Sequence, residues 1–342
     1  MYQPRENELS RRQVLGGIAG ALTIAAGGAV GYAVARMDGE DRGASAQDGS
    51  TPGTGLAPGP KPQGKIANAR DANLPPLQPS PLTLTYHAKP QTVEIGAGVQ
   101  YNAWTFDGST PGPVLHVKQG DTIEFTLIND AQEGHSIDFH AARTPWDKNY
   151  VTVVPGDSIS FNWTADFPGV FVYHCGTPPV LHHIGNGMYG LIVVDPETPL
   201  EPAREYWLLQ SEFYAKAGAD GTWDADMDKM LAPKPDILAF NGAAFQYRDN
   251  PLPAQVGEKI RLYVGNIGPT LFSAFHVIGA LFDVVYADGN PRNPLYGLQT
   301  YTIPPGGGVT CELTIPEAGL YPFVTHSFAY TELGAVGLLE VS

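Results

Sequence analysis

The sequence predicts an all-β chain of two tandem Greek-key β-sandwiches. Three observations carry that prediction. Charged residues make up only 16 % of the chain, while there are 40 glycines and 31 prolines; apolar periodicity of the helical kind is scarce, so the composition suits short strands joined by turns. The 342 residues suffice for two domains of ordinary size. Finally, the chain repeats itself: PGDSISFNWTADFPG at 155–169 and PGGGVTCELTIPEAG at 305–319 align without a gap.

The N-terminus reads as an address. Ser10-Arg11-Arg12-Gln13-Val14-Leu15 is a twin-arginine pattern, and an uncharged, Gly- and Ala-rich run follows to Ala35. Two A-x-A sites come next, Ala33-Val34-Ala35 and Ala44-Ser45-Ala46. Residues 1–46 are therefore a twin-arginine signal segment, cleaved at one of these sites or kept as a membrane anchor. Such a segment exports folded proteins, so the expected location is periplasmic or otherwise extracytoplasmic. Residues 47–80, rich in Gly, Pro, Ser and Ala, are expected to be a disordered linker. The net charge is −15. That argues against nucleic-acid binding by phosphate neutralisation and is accounted for by solubility.

The first sandwich is placed at 81–198 and the second at 203–342. In the repeated stretch Ile159, Phe161 and Trp163 alternate, as do Val309, Cys311 and Leu313. Each set reads as a strand with one buried face. The match extends upstream, where GDTIEFTL from Gly120 resembles GEKIRLYV from Gly257. Downstream, FVYHC from Phe171 resembles FVTHS from Phe323. An exported chain with two cysteines suggests a disulfide. The repeat argues otherwise, because Cys311 falls at the inward position of Phe161 and reads as a small buried hydrophobe.

The differences between the halves are informative. His174-Cys175 in the first half becomes His326-Ser327 in the second, and beyond Cys175 lie His183 and Met188. Within the first half His135 and His140 are five apart; aligned on His135, His276 is followed five later by Leu281. The second half has thus lost its thiolate and kept His326.

One thiolate, two imidazoles and a thioether make the ligand set of a blue-copper electron-transfer centre. Cys175, His183 and Met188 sit on one loop between adjacent strands, and His135 comes from earlier in the same half. A zinc site is the competing metal reading. His182 competes with His183, which is preferred for its spacing to Met188. Side chains alternate along a strand, so His174 points away from Cys175, toward a second metal. His140, offset from His135 by an odd number, can face the same way. With His326 they would form a three-histidine site with one position open, as catalytic metal sites have. Asp138 lies within reach of that position and could hold or pass a proton; the alternative is a structural carboxylate.

From about residue 90 onward the chain resembles the copper-containing nitrite reductases. The resemblance rests on His-x-x-Asp-Phe-His at 135–140, Tyr-His-Cys at 173–175 and His-x4-Met at 183–188. It extends to Phe-Asn-Gly at 240–242, Val-Gly-Glu-Lys at 256–259, His-x-Ile-Gly at 276–279 and Glu-Leu-Gly-Ala at 332–335. It implies two cupredoxin-like domains of the multicopper oxidase superfamily and two coppers per subunit. The type 1 copper would take His135, Cys175, His183 and Met188. The type 2 copper would take His140 and His174, with His326 from a neighbouring subunit of a homotrimer. Asp138 becomes the substrate-side acid, nitrite the substrate, and a small redox protein the electron donor.

Two departures accompany the resemblance. The loop from Cys175 to His183 is one residue shorter than the family's commonest form. The family also carries a second substrate-side histidine in a His-x-Ile-Gly-Gly-His segment, whose last position is here Leu281. That substitution keeps two other readings open: an oxidoreductase acting on another small substrate, and a blue-copper electron carrier. Counting argues against a laccase-like trinuclear centre, since it needs ten histidines with its blue site and the chain has nine, none in a His-x-His pair. His87, His116, His182 and His276 are expected to be structural or surface groups, with His276 the core counterpart of His135.

Overall fold

A computed structural model describes residues 55–342. The twin-arginine segment and the first residues of the expected linker lie outside the described residues. Strand β1 spans Leu82–Gly96, β2 Val99–Phe106, β3 Leu115–Lys118, β4 Thr122–Asn129, β5 Asp138–Phe139, β6 Ser158–Thr164, β7 Gly169–His174 and β8 Tyr189–Asp195. They form two sheets, one ordered β2-β1-β4-β6 and the other β3-β8-β7-β5. Alternation builds the core between them. In β4, Ile123, Phe125 and Leu127 are buried while Thr122 and Glu124 are exposed. Phe125, Phe139 and Phe161 pack edge-on, and Trp163 stacks on Phe139.

The second sandwich repeats the plan. Lys259–Gly268 pairs in parallel with Arg204–Phe213, as β4 does with β1. Gly307–Thr314 takes the place of β6, and Cys311 is fully buried in its core. Both cysteines are free and buried, so no disulfide joins them. Ser273–Val277 pairs with Gly319–Thr325 as β5 pairs with β7.

Two boundaries differ from the sequence reading. Ala215–Ala217 and Trp223–Ala225 belong to the second half by sequence, yet they extend the first sandwich's sheet beyond β2, through Trp223 against Tyr101. The expectation of a disordered linker over 47–80 also fails for residues 55–80. Proline and glycine keep this stretch out of helix and strand, but its polar groups find partners on both sandwiches. The Arg70 guanidinium donates to the Pro111 carbonyl at 2.6 Å, its backbone N–H to Gln246 Oε1 at 2.9 Å, and its carbonyl accepts from Tyr247. Trp207 N–H donates to Ala72 O, and Leu74 N–H to Glu205 O. Among the described residues no helix is long and apolar enough to cross a membrane.

Candidate metal centres

Cys175 follows directly on β7, and a short helix, Val180–Gly185, carries His183 before β8 begins. This brings three ligand atoms together. Cys175 Sγ is 3.2 Å from His183 Nδ1 and 3.9 Å from His135 Nδ1, and the two nitrogens are 3.2 Å apart. Met188 closes the loop: its carbonyl accepts from Cys175 N–H at 3.0 Å, and its side chain is fully buried in the same cluster. His135 is anchored by a bridge to Val153, with N–H···O bonds in both directions. His182 packs edge-on against Trp104 and stays outside the ligand triangle.

The triangle fits a metal ion. Burial, with His183 adding to it at His135 and His182 at His183, holds His135 and His183 down to about 4, so both are neutral and carry lone pairs at physiological pH. Burial pushes the Cys175 thiol up, against N–H donors from Ser136 and Thr177. A bound cation reverses that tendency and leaves a thiolate. Bonds of about 2.1 Å to nitrogen and about 2.3 Å to sulfur can be made from within such a triangle.

A second cluster lies on the other side of the Cys175–His174 peptide. His140 Nε2 and His174 Nε2 are 3.1 Å apart, and Asp138 joins them with all three ligand atoms within 4.8 Å of one another. Asp138 is paired with His174 in the β5–β7 register. A carbonyl oxygen only accepts, so the Cys175 carbonyl 3.0 Å from His174 Nδ1 fixes the Nδ1–H tautomer of His174. That leaves the His174 Nε2 lone pair facing His140 Nε2, and a cation between the two rings could take a lone pair from each neutral imidazole. Burial, and then the neighbouring His174, lowers the His140 pKa, which also keeps its lone pair free.

A blue-type triangle joined through one peptide to an imidazole pair narrows the candidate families sharply. Residues 87–199 match the multicopper oxidase family. A copper-containing nitrite reductase from Neisseria meningitidis is 40 % identical over 259 residues, 73 % of this chain and 67 % of that protein. The Rhizobium meliloti enzyme of the same name is 33 % identical over 285 residues, covering 76 % and 75 %. The chain belongs to the copper-containing nitrite reductase family. It is accordingly a copper oxidoreductase. The solved copper nitrite reductase from Nitrosomonas europaea superposes with a TM-score of 0.71 at 40 % identity, over 76 % of this chain and 94 % of that one.

Among nitrite reductase features, the structure brings together His135, Cys175 and His183 around one point, with Met188 beside them, and His140, His174 and Asp138 around another. It does not bring His326 to the second point. His326 lies on the second sandwich, its ring 5.4 Å from that of His276.

His276 was expected to be the core counterpart of His135, with Leu281 standing where a substrate-side histidine should be. The strand register corrects both expectations. Phe139 pairs with Tyr173 in the first sandwich, and Phe275 pairs with Thr325 in the second. With His326 equivalent to His174, the counterpart of His140 is therefore His276. By the same count the counterpart of His135 is Leu271, and the first reading had slipped by five residues. His276 is half-buried, and its Nδ1 donates to the Gln299 carbonyl. Leu281 is 62 % exposed on the turn after that strand. The signal that could have found this was the strand pairing implied by FVYH and FVTH, since a spacing of five counted along the chain ignores register.

Proposed function

We propose that the protein reduces nitrite to nitric oxide, with a type 1 copper held by His135, Cys175, His183 and Met188 feeding a type 2 copper held by His140, His174 and the His326 of a neighbouring copy. The observation that carries this is the peptide shared by the two clusters: Cys175 serves one and His174 the other. Copper would supply one-electron transfer at the first centre and a substrate-binding Lewis acid at the second.

The chain's own groups manage the rest. The His174–Cys175 backbone joins the centres covalently. His140 and His174 present their Nε2 atoms to one point, His174 in the tautomer that the Cys175 carbonyl fixes. Asp138 stands beside them, within reach of an anion on the open side, and can hand over one of the two protons the reaction consumes. His326 is outside the cluster its own chain forms, so a homotrimer, in which each copy lends His326 to the next, completes the site. His276 travels with His326, and its carbonyl-held Nδ1–H leaves Nε2 directed as an acceptor or relay. That restores the second substrate-side imidazole and removes the reason for preferring another substrate or a pure electron carrier. A small redox protein supplies the electron, and the twin-arginine segment places the reaction outside the cytoplasm.

The copper-loaded protein should show an intense thiolate-to-copper visible band and two EPR signals, one of them non-blue. Nitrite with a reductant should yield nitric oxide. Cys175→Ser should abolish the band and leave the non-blue signal. Mixed oligomers of His326→Ala and His140→Ala chains should regain part of the activity neither has alone. A monomer in solution, or no recovery on mixing, would defeat the shared-site reading.

A further inference from the structure

The two centres orient their imidazoles by different means. At the second centre the Cys175 carbonyl faces His174 Nδ1 at 3.0 Å. Metal-binding histidines are ordinarily oriented in this way, through the nitrogen that does not bind the metal. At the blue centre that device is missing among the described residues. His135 Nε2 is buried without a hydrogen-bond partner, and the hydrogen bonds of His183 run only through Nδ1. No protein hydrogen bond at the second ring nitrogen sets these two ring planes.

Trp104 is placed to do so. Strand β2 turns Tyr101, Ala103 and Thr105 into the core and Asn102 and Trp104 toward the opposite face. A large aromatic ring on the outward face of a strand calls for an apolar partner. Its partners are the copper-loop imidazoles. The indole centroid is 5.4 Å from His135 at 68° and 4.9 Å from His183 at 55°, and those two rings are 5.1 Å apart at 79°. Each of the three rings packs steeply against the other two, so turning either imidazole about its Cβ–Cγ bond drives it into the indole.

The backbone keeps the indole in register with the loop. Trp104 N–H donates to Asn186 O at 3.0 Å, and Tyr101 OH donates to Gly185 O at 3.0 Å. A Cβ on Gly187 would come within 3.1 Å of the Trp104 carbonyl, and Gly187 has φ +115°. Glycine there lets the loop that carries His183 and Met188 seat directly on β2.

We propose that Trp104 is a positioning residue of the blue-copper centre, fixing the planes of His135 and His183 by ring packing where a hydrogen bond would ordinarily act. The proposal rests on the reading of that centre as a copper site. Its test uses the full-length, copper-loaded protein and the variants Trp104→Phe, Trp104→Leu and Trp104→Ala. The readouts are the thiolate band, the EPR hyperfine splitting of the blue signal, and copper retention against a chelator. Retention should fall about tenfold in Trp104→Ala and Trp104→Leu, with altered band and splitting, and stay within about threefold of wild type in Trp104→Phe, which keeps a ring. The non-blue EPR signal and the KM for nitrite should be unchanged in all three. Wild-type spectra and retention in Trp104→Leu would overturn the proposal, and that variant fills the space even if Trp104→Ala fails to fold. Absence of the thiolate band from the wild-type protein would instead overturn the copper reading itself.

Discussion

His276 stands to His326 in the second sandwich as His140 stands to His174 in the first. The ring centroids are 5.4 Å apart at 65° in one pair and 5.1 Å apart at 75° in the other. Both pairs follow from one strand register, β5 on β7 and its repeat. The second half therefore has Leu271 where the first has the buried His135 and Ser327 where it has Cys175, and carries both imidazoles of the other face.

This relation fixes opposite outcomes for two substitutions. His276→Asn should lower kcat for nitrite by about a hundredfold, the ordinary size of a lost proton-transfer group, with copper content unchanged. Leu281→His should leave the rate where it was, because position 281 is on an exposed turn. Steady-state turnover with metal analysis on each variant measures both. A rate gain in Leu281→His would reinstate proton delivery through 281.

Asp138 is held beside His174 by the β5–β7 pairing and shares a cluster with His140. Asp138→Asn keeps the shape and the hydrogen-bonding reach but cannot carry the proton. Its kcat should drop by about a hundredfold, with both EPR signals retained. Loss of the non-blue signal in this variant would make Asp138 a structural support of the metal pair.

The clustering of Cys175, His183 and Met188 was legible in the sequence because rare residue types fall within one loop of a chain with two cysteines and five methionines. The sandwiches were legible from the period-2 alternation of Ile159, Phe161 and Trp163 against Val309, Cys311 and Leu313. The role of His276 was hidden because it depends on pairing between strands, and a slip in register is invisible to counting along one of them. Trp104 was hidden for a related reason: one outward aromatic in β2 has no meaning until the loop that covers it is placed. The packing of residues 55–80 was masked by composition, since Pro and Gly look alike in a tether and in a strap whose bonds go to distant side chains.

That strap gives a stability prediction. Arg70 donates to the carbonyls of Pro111 and Thr110, and burial lowers its pKa because no carboxylate pairs with it. Arg70→Ala leaves the Pro111 carbonyl without its donor, while the backbone bonds of residue 70 to Gln246 and Tyr247 remain. The expected loss is about 2 kcal/mol in urea unfolding, the scale of a charge-assisted hydrogen bond. A midpoint within error of wild type would mean the Arg70 guanidinium contributes nothing to the fold.

His116 makes part of this stabilisation depend on pH. It is 6 % exposed; its Nδ1 donates to the Pro75 carbonyl at 2.6 Å, and Nε2 lies 3.1 Å from the Asp195 carboxylate. The second contact is an ion pair without good hydrogen-bond alignment, and attraction between opposite charges needs proximity more than angle. Burial acts to lower the imidazole's pKa, but Asp195 and the Pro75 carbonyl outweigh it and the net shift is upward. A raised histidine is charged in both folded and unfolded chains below the ordinary value of about 6.5, and there its contribution is complete. The contribution fades as pH rises through the folded-state value. His116→Gln cannot take up the charge, so it should cost about 1.5–3 kcal/mol at about pH 6 and distinctly less at about pH 9. Urea midpoints of both proteins at the two pH values measure this; a difference that does not change with pH would rule out an ionised clasp between the strap and the first sandwich.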